Sequence, residues 1–149
     1  MSVHADLFTA FIQRHLPAAI SMGIEVVAYD GDRLQCRAPL SLNYNDKLTV
    51  FGGSLYVLCV LTGWGMVYLR TRERGLDGDL VVSKGDIEYR APVAGEFFSA
   101  VCEAPAADEW EKFFQTAETY GRARIALASH IVHDGRTAVR FRGEYAIKR

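Results

Sequence analysis

The sequence predicts an α+β fold in which a six-stranded antiparallel sheet wraps around one long helix. Six segments alternate apolar and polar residues, as expected for strands with one buried face and one solvated face. Residues 48–69 contain no charged side chain, so a helix formed there is apolar on every side and needs protein around it. A sheet with one apolar face can provide that cover.

The N-terminal part of the chain is predicted to form a short helix and then a hairpin. Apolar residues in segment 4–16 recur at helical spacing before Pro17, which predicts an amphipathic helix. Alternation then runs up to Asp30-Gly31 and resumes at Leu34. Because Asp-Gly between alternating segments is a strong hairpin signal, we expect two antiparallel strands on either side of this turn.

The uncharged segment predicts a central helix from about Gly53 to Arg74, ended by Gly75 as a C-terminal cap. Gly63 and Gly65 lie inside this helix, although each costs about 1 kcal/mol relative to alanine there. Close approach of a strand or of a partner chain would explain both glycines. The segment also reaches the length of roughly 20 residues that crosses a bilayer. Its polar first turn and the alternating remainder of the chain favour a core helix, so we expect no membrane span.

The next two strands are predicted on either side of a turn with the sequence APVAG. The first covers residues 80–90, with a bulge expected at Lys84-Gly85, and the second covers residues 96–103. These strands follow the central helix directly in the chain.

One more helix and two more strands complete the predicted order α-β-β-α-β-β-α-β-β. Asp108 and Glu111 have the spacing of a capping box, which predicts the start of a surface helix that ends before Gly121. The last two strands flank the turn Asp134-Gly135. We expect residues 1–149 to form one domain.

Composition and charge argue against several classes of partner. The formal net charge is −1, and basic residues are scattered among acidic ones, so we expect no nucleic-acid partner. Cys36, Cys59 and Cys102 lack the spacing of a zinc site or a disulfide framework, so we expect reduced thiols and no metal. The N-terminus lacks the features of a secretory signal, which favours a cytoplasmic location.

The segment that leads into the central helix carries a likeness to a known family. Residues 45–54, with the sequence NDKLTVFGGS, resemble the Asn-x3-Thr-x-His-Gly-Gly segment of acyl-CoA thioesterases with the hotdog fold. They are most similar to the thioesterase family typified by the YiiD C-terminal domain, whose pattern N-x3-T-x-F-x-G-S precedes an apolar helix containing Thr-Gly-Trp-Gly. Residues 81–93, with Ile87-x-Tyr89-x-x-Pro92, also resemble the strand after this helix in the superfamily.

This resemblance implies a hotdog fold and hydrolysis of an acyl-CoA or acyl-carrier-protein thioester at a site between two subunits. Backbone N–H groups at the glycine step bind the thioester carbonyl oxygen in that superfamily, and this role maps onto Gly52 and Gly53. The N–H groups of a helix's first turn lack intrahelical partners and carry partial positive charge, which suits an oxyanion. CoA would enter only as part of the substrate, and no separate cofactor is implied.

Two groups that commonly perform proton chemistry in the superfamily are missing from this sequence. The histidine before the glycines is Phe51, and the acid about two turns into the helix is Val60. Asp46 and Asp86 are the alternative carboxylates. We favour Asp46 to activate water, with Asn45 orienting that water. Asp46 also fits a solvated loop position or a helix cap, and Asp86 fits the wet face of a strand.

The remaining candidates are expected to contact substrate rather than to react. Ser54 is expected to bond backbone or ligand because no partner base is apparent, Thr62 to lie near the acyl chain, and Lys84 to meet a CoA phosphate unless it is an ordinary surface lysine. The full set of predicted substrate-binding residues is Thr49, Phe51, Ser54, Thr62, Lys84 and Asp86. The four histidines are expected at the surface because they show no metal-ligand spacing.

The sequence also favours an oligomer and leaves two alternative functions open. Trp64, Tyr68 and the two helix glycines favour burial against a second subunit, so we expect a homodimer or a dimer of dimers. The loss of the acid at Val60 leaves open a non-catalytic module that binds acyl thioesters or regulates through them. A dehydratase or hydratase of the same fold is the third option, but it needs a histidine and an acid near the glycines.

Overall fold

The computed structural model describes residues 3–149 and has the predicted architecture of a sheet wrapped around a helix. The N-terminal half contains α1 (Val3–His15), α2 (Pro17–Ser21), β1 (Glu25–Tyr29), β2 (Arg33–Pro39) and α3 (Gly52–Arg74). The C-terminal half contains β3 (Asp79–Tyr89), β4 (Phe97–Glu103), α4 (Ala107–Tyr120), β5 (Arg122–His133) and β6 (Arg136–Lys148). A 3-10 turn, Leu40–Leu42, lies in the loop that leads from β2 to α3.

The six strands form one sheet in the order β1-β2-β4-β5-β6-β3, and every neighbouring pair is antiparallel. Strand β3 follows α3 in the chain yet lies at the edge of the sheet, where it pairs with β6 on one side only. Helix α3 contacts strands β2 to β6. It is long and apolar enough to cross a membrane by length and composition, and a core helix passes the same test.

The two glycines inside α3 are explained by packing within the subunit. A side chain at Gly63 would collide with the hydroxyl of Tyr145 on β6, and a side chain at Gly65 would collide with the ring of Phe8 on α1. The Tyr145 hydroxyl donates a hydrogen bond to the Val60 carbonyl at 3.0 Å. Of the two explanations that the sequence left open, close approach by elements of the same chain is therefore correct, and the glycines carry no information about a partner chain.

Most predicted boundaries agree with the structure. Two features differ: an additional short helix follows α1, and the irregularity in β3 lies at a slightly different position. Helix α1 ends at His15, and the short helix α2 starts at Pro17, where proline fits because the first helical N–H needs no partner. The irregularity in β3 lies between Val82 and Lys84, slightly before the predicted position.

The capping box predicted for the surface helix is wrong. Helix α4 begins at Ala107, Ala106 occupies the N-cap, and no side chain caps the helix. Asp108 therefore lies within the first turn, where its negative charge interacts favourably with the helix dipole instead of capping the chain. The predicted end is confirmed, because Gly121 adopts the left-handed conformation that closes α4.

Candidate active site

The first turn of α3 has free backbone donors. Phe51 is the N-cap residue with extended backbone angles, φ −57° and ψ 134°, and its N–H donates to the Asn43 carbonyl at 2.7 Å. The Ser54 N–H donates back to the Phe51 carbonyl at 2.9 Å, so that amide is engaged. Within residues 3–149, the N–H groups of Gly52 and Gly53 have no protein acceptor. These two amides are therefore available to a ligand.

Two aromatic side chains frame the glycines. The Tyr89 hydroxyl at the end of β3 donates to the Gly52 carbonyl at 2.9 Å, which fixes the start of α3 against the edge strand. The Phe51 ring packs over Gly53, at a position where any Cβ would be only 2.6 Å from the ring. Phe51 itself is 57 % exposed, so the glycine step lies at the surface of the subunit. Tyr89 is part of the sequence motif, but the sequence did not predict its hydrogen bond to Gly52.

Asn45 closes the loop that precedes α3. Its Oδ1 accepts hydrogen bonds from the Lys47 N–H at 2.9 Å and from the Thr49 N–H at 3.1 Å, and its Nδ2 donates to Thr49 Oγ1 at 2.9 Å. These bonds surround Leu48, which adopts a positive φ of 59°, a conformation that is strained for a branched side chain. The Asn45 amide is thus occupied by the loop itself, and Thr49 is its partner.

The predicted acidic and basic residues face solvent or lie on the outer face of the sheet. The Asp46 side chain is 81 % exposed and pairs with the adjacent Lys47 at 3.2 Å. Lys84 and Asp86 lie on the outer face of β3, opposite Glu144 and Arg142 of β6 respectively. This face is the opposite side of the sheet from α3.

Thr62 also lies away from the open side of α3. It is fully buried, and its hydroxyl donates to the Leu58 carbonyl at 2.6 Å. Ser54 is buried in the first turn of the helix. Of the predicted set, the structure therefore brings Asn45, Thr49, Phe51, Gly52, Gly53 and Ser54 together at the start of α3.

An apolar groove of about 680 Å³ runs along the uncovered side of α3. Its walls come from the junction of α1 and α2, from one face of α3, and from the first half of β3. We call it the α3 groove, and it is lined by Phe11, His15, Leu16, Pro17, Ala18, Ala19, Val57, Val60, Leu61, Trp64, Leu80 and Val82. Val57 lies one helical turn after Gly53, so the groove starts about 6 Å from the free amides along the helix.

Aromatic contacts hold the far end of the α3 groove. The Trp64 indole N–H donates to the Leu80 carbonyl at 3.0 Å, which ties α3 to the edge strand. Trp64 also stacks on Tyr68, with ring centroids 5.3 Å apart, and contacts Phe11 of α1 at 5.2 Å. This cluster forms the end wall of the groove.

The three cysteines belong to the core and not to the site. Cys36, Cys59 and Cys102 are all buried as free thiols. Burial raises the pKa of each thiol to about 12, because the thiolate would lose its solvation. They are therefore neutral at physiological pH and are not nucleophiles. In the part of the chain that the structure describes, no three His, Cys, Asp or Glu side chains are grouped to hold a metal ion.

Comparison with solved structures supports this description of the fold. A crystal structure of a protein of unknown function from Chlorobaculum tepidum is 41 % identical, covers 97 % of this chain and 94 % of its own, and superposes with a TM-score of 0.95. A "putative thioesterase" from Shewanella oneidensis is 27 % identical over the full length of both chains, with a TM-score of 0.88. A thioesterase from Haemophilus influenzae, 12 % identical over 99 % of this chain and 92 % of its own with a TM-score of 0.74, shares the fold.

The sequence profile of one protein family matches almost the whole chain. The profile is described as "Putative thioesterase (yiiD_Cterm)", and it matches residues 5–149. The chain therefore has the hotdog fold and belongs to the YiiD C-terminal thioesterase family.

Proposed function

We propose that this protein hydrolyses acyl thioesters, with CoA or an acyl carrier protein as the thiol part of the substrate. The observation that supports the proposal most directly is the pair of free N–H groups on Gly52 and Gly53 beside the α3 groove. Family membership supports the same reaction class. The thioester carbonyl oxygen accepts hydrogen bonds from these amides, and its acyl chain lies in the groove.

The amides lower the barrier because they are fixed before the reaction starts. When water attacks the thioester carbon, negative charge develops on the carbonyl oxygen, and donors at a helix N-terminus stabilise that charge. Loss of one such donor costs about 10²- to 10³-fold in rate in other enzymes. Asn45 supports the site by holding the loop that presents Gly52 and Gly53. Gly53 and Trp64 are about 16 Å apart along the helix axis, which sets the length available to the acyl chain.

The proposed active unit is a homodimer formed through the edge strand β3. This strand spans Asp79–Tyr89 and pairs with β6 on one side only, and a long unpaired edge favours pairing with another chain. Val82, which is 45 % exposed, lies on this strand and lines the groove beside the uncovered face of α3. A twofold axis through β3 joins the two sheets and covers both apolar faces.

A panel of acyl-CoA and acyl-carrier-protein substrates tests the proposal, with release of free thiol as the measurement. The expected result is turnover of at least one chain length, with product formation proportional to enzyme concentration. Binding is followed in parallel from the thermal shift caused by each substrate. Thermal stabilisation without thiol release at any chain length contradicts hydrolysis and identifies a binding module instead.

A further inference from the structure

The α3 groove contains one titratable side chain, that of His15. Every other residue that lines it is apolar. His15 is the last residue of α1 and is exposed. Its ring contacts Phe11, with centroids 4.8 Å apart. Within residues 3–149, the imidazole has no hydrogen-bond or ion-pair partner. An unpaired imidazole in an apolar groove is free to interact with whatever enters the groove.

Val60 lies in the same groove as His15. Hotdog thioesterases commonly carry an acid at this position, whereas this sequence has a valine. Valine cannot accept a proton, so the groove needs another base if water is to be activated there. Among the residues that line the groove, only His15 has the chemistry to be that base.

The α3 groove that His15 lines begins about 6 Å from the free amides of its own subunit, and pairing of two edge strands would bring a second pair of free amides to it. At one end of β3, Tyr89 is hydrogen-bonded to Gly52. At the other end, Leu80 is hydrogen-bonded to Trp64, which lies at the far end of the groove. When two copies of β3 pair antiparallel about a twofold axis, the Leu80 end of one strand lies beside the Tyr89 end of the other. The α3 groove of each subunit is then placed next to the Gly52 and Gly53 amides of the other subunit.

We propose that His15 of the partner subunit is the general base for thioester hydrolysis at Gly52 and Gly53. The imidazole removes a proton from water while the water oxygen forms a bond to the thioester carbon. The resulting oxyanion is held by the two amides. When it collapses, the carbon–sulfur bond breaks and the imidazolium returns the proton to the departing thiolate. Thioester and water thus give a carboxylic acid and a thiol. This inference rests on the proposed hydrolase function and on the β3 dimer.

The first test compares His15→Ala with a matched variant on the same helix, His4→Ala, which is outside the α3 groove. The expected result for His15→Ala is a loss in kcat of roughly 10²- to 10⁴-fold. Affinity for a non-hydrolysable thioether analogue of acyl-CoA and the melting temperature are expected to stay unchanged, because His15 is exposed. Added imidazole is expected to restore part of the rate. His4→Ala is expected to retain wild-type kcat.

The second test asks whether His15 acts across the dimer. His15→Ala subunits are unfolded, mixed and refolded with Gly52→Pro subunits, each inactive alone. A mixed dimer then holds one complete site, formed by the amides of the first subunit and His15 of the second. Random mixing is expected to recover about a quarter of wild-type activity. If the base and the amides of each site came from the same subunit, no mixed dimer would contain a complete site.

The outcomes separate the inference from the proposed function. Wild-type protein that turns over no substrate overturns both. An active wild type with an unimpaired His15→Ala variant overturns the inference alone, and a simultaneous loss in Asp46→Ala would return the role of base to Asp46. Inactive single variants that fail to recover on mixing overturn the assignment to the partner subunit.

Discussion

At the scale of single residues, Asn45 shows how a motif position can act on the site through the backbone. Its amide bonds Lys47 and Thr49 and supports the strained conformation of Leu48. The next residues, through Phe51, set the direction in which α3 begins. These bonds support a positioning role for Asn45 in the proposed hydrolase, whereas the sequence suggested that its side chain orients water.

The Asn45→Ala variant distinguishes these two roles. Loss of the loop hydrogen bonds is expected to lower the free energy of unfolding by about 1–2 kcal/mol and to lower kcat together with it. Asn45→Asp keeps the acceptor oxygen and is expected to lose less of both. Denaturant unfolding and thiol-release kinetics measure the two effects. A large loss of kcat without any loss of stability would instead support direct contact of Asn45 with the attacking water.

A local motif in the sequence identifies the candidate residues at the start of α3, whereas no sequence signal points to the role proposed for His15. The glycines, Asn45 and Thr49 are close in the chain, so a local motif describes them. His15 reaches the groove only because α1 packs against α3 through Phe8 and Phe11. No local pattern encodes that contact. The prediction that His15 lies at the surface is confirmed, because the residue is exposed.

At the scale of elements, the packing of β6 against α3 depends on glycine. Tyr145 occupies the space where a side chain at Gly63 would lie, and its hydroxyl bonds the Val60 carbonyl one turn earlier. The strand and the helix therefore approach more closely than two ordinary side chains would permit. This contact helps to hold the groove face of α3 in place.

The Gly63→Ala variant is expected to destabilise the protein by about 1–3 kcal/mol, since the new methyl group overlaps the Tyr145 hydroxyl. In the Tyr145→Phe background that hydroxyl is absent, so the cost of Gly63→Ala is expected to be smaller. A double-mutant cycle based on chemical denaturation measures the coupling between the two sites. Additive effects would show that the collision at Gly63 does not determine the cost.

Most of the strands and helices could be predicted from the sequence. Alternation and Asp-Gly turns located all six strands, and the uncharged segment located α3, because these signals are local. The pairing of β3 with β6 was not predicted, since it depends on how the chain wraps around α3. Helix α2 is only five residues long, too short for helical periodicity to reveal it.

At the scale of the whole molecule, the uncovered face of α3 and the free edge of β3 lie side by side. The groove between them is apolar and includes Val60 and Val82. A subunit alone would expose these surfaces to water at a cost in free energy. Dimerisation through β3 would bury them and, in the same step, complete the site.

The Val82→Lys variant tests this interface. Placing two lysines near a twofold axis in an apolar contact is expected to shift the protein from dimer towards monomer and to reduce hydrolysis with it. Val132→Lys on β5 is the matched control, because Val132 is 52 % exposed and Val82 is 45 % exposed. Light scattering after size exclusion measures the mass of each. A Val82→Lys protein that stays dimeric and fully active would place the interface elsewhere.

A comparison of kcat for Gly52→Pro and Gly52→Ala tests directly whether the Gly52 amide binds the thioester carbonyl. Proline removes the Gly52 N–H but suits the first position of a helix after the extended Phe51. Alanine keeps the N–H and makes only ordinary contact with Tyr89, at 3.6 Å. If the amide binds the thioester carbonyl, Gly52→Pro loses about 10²-fold or more in kcat while Gly52→Ala stays near the wild-type value. Equal rates in the two variants would show that the Gly52 amide does not bind the carbonyl.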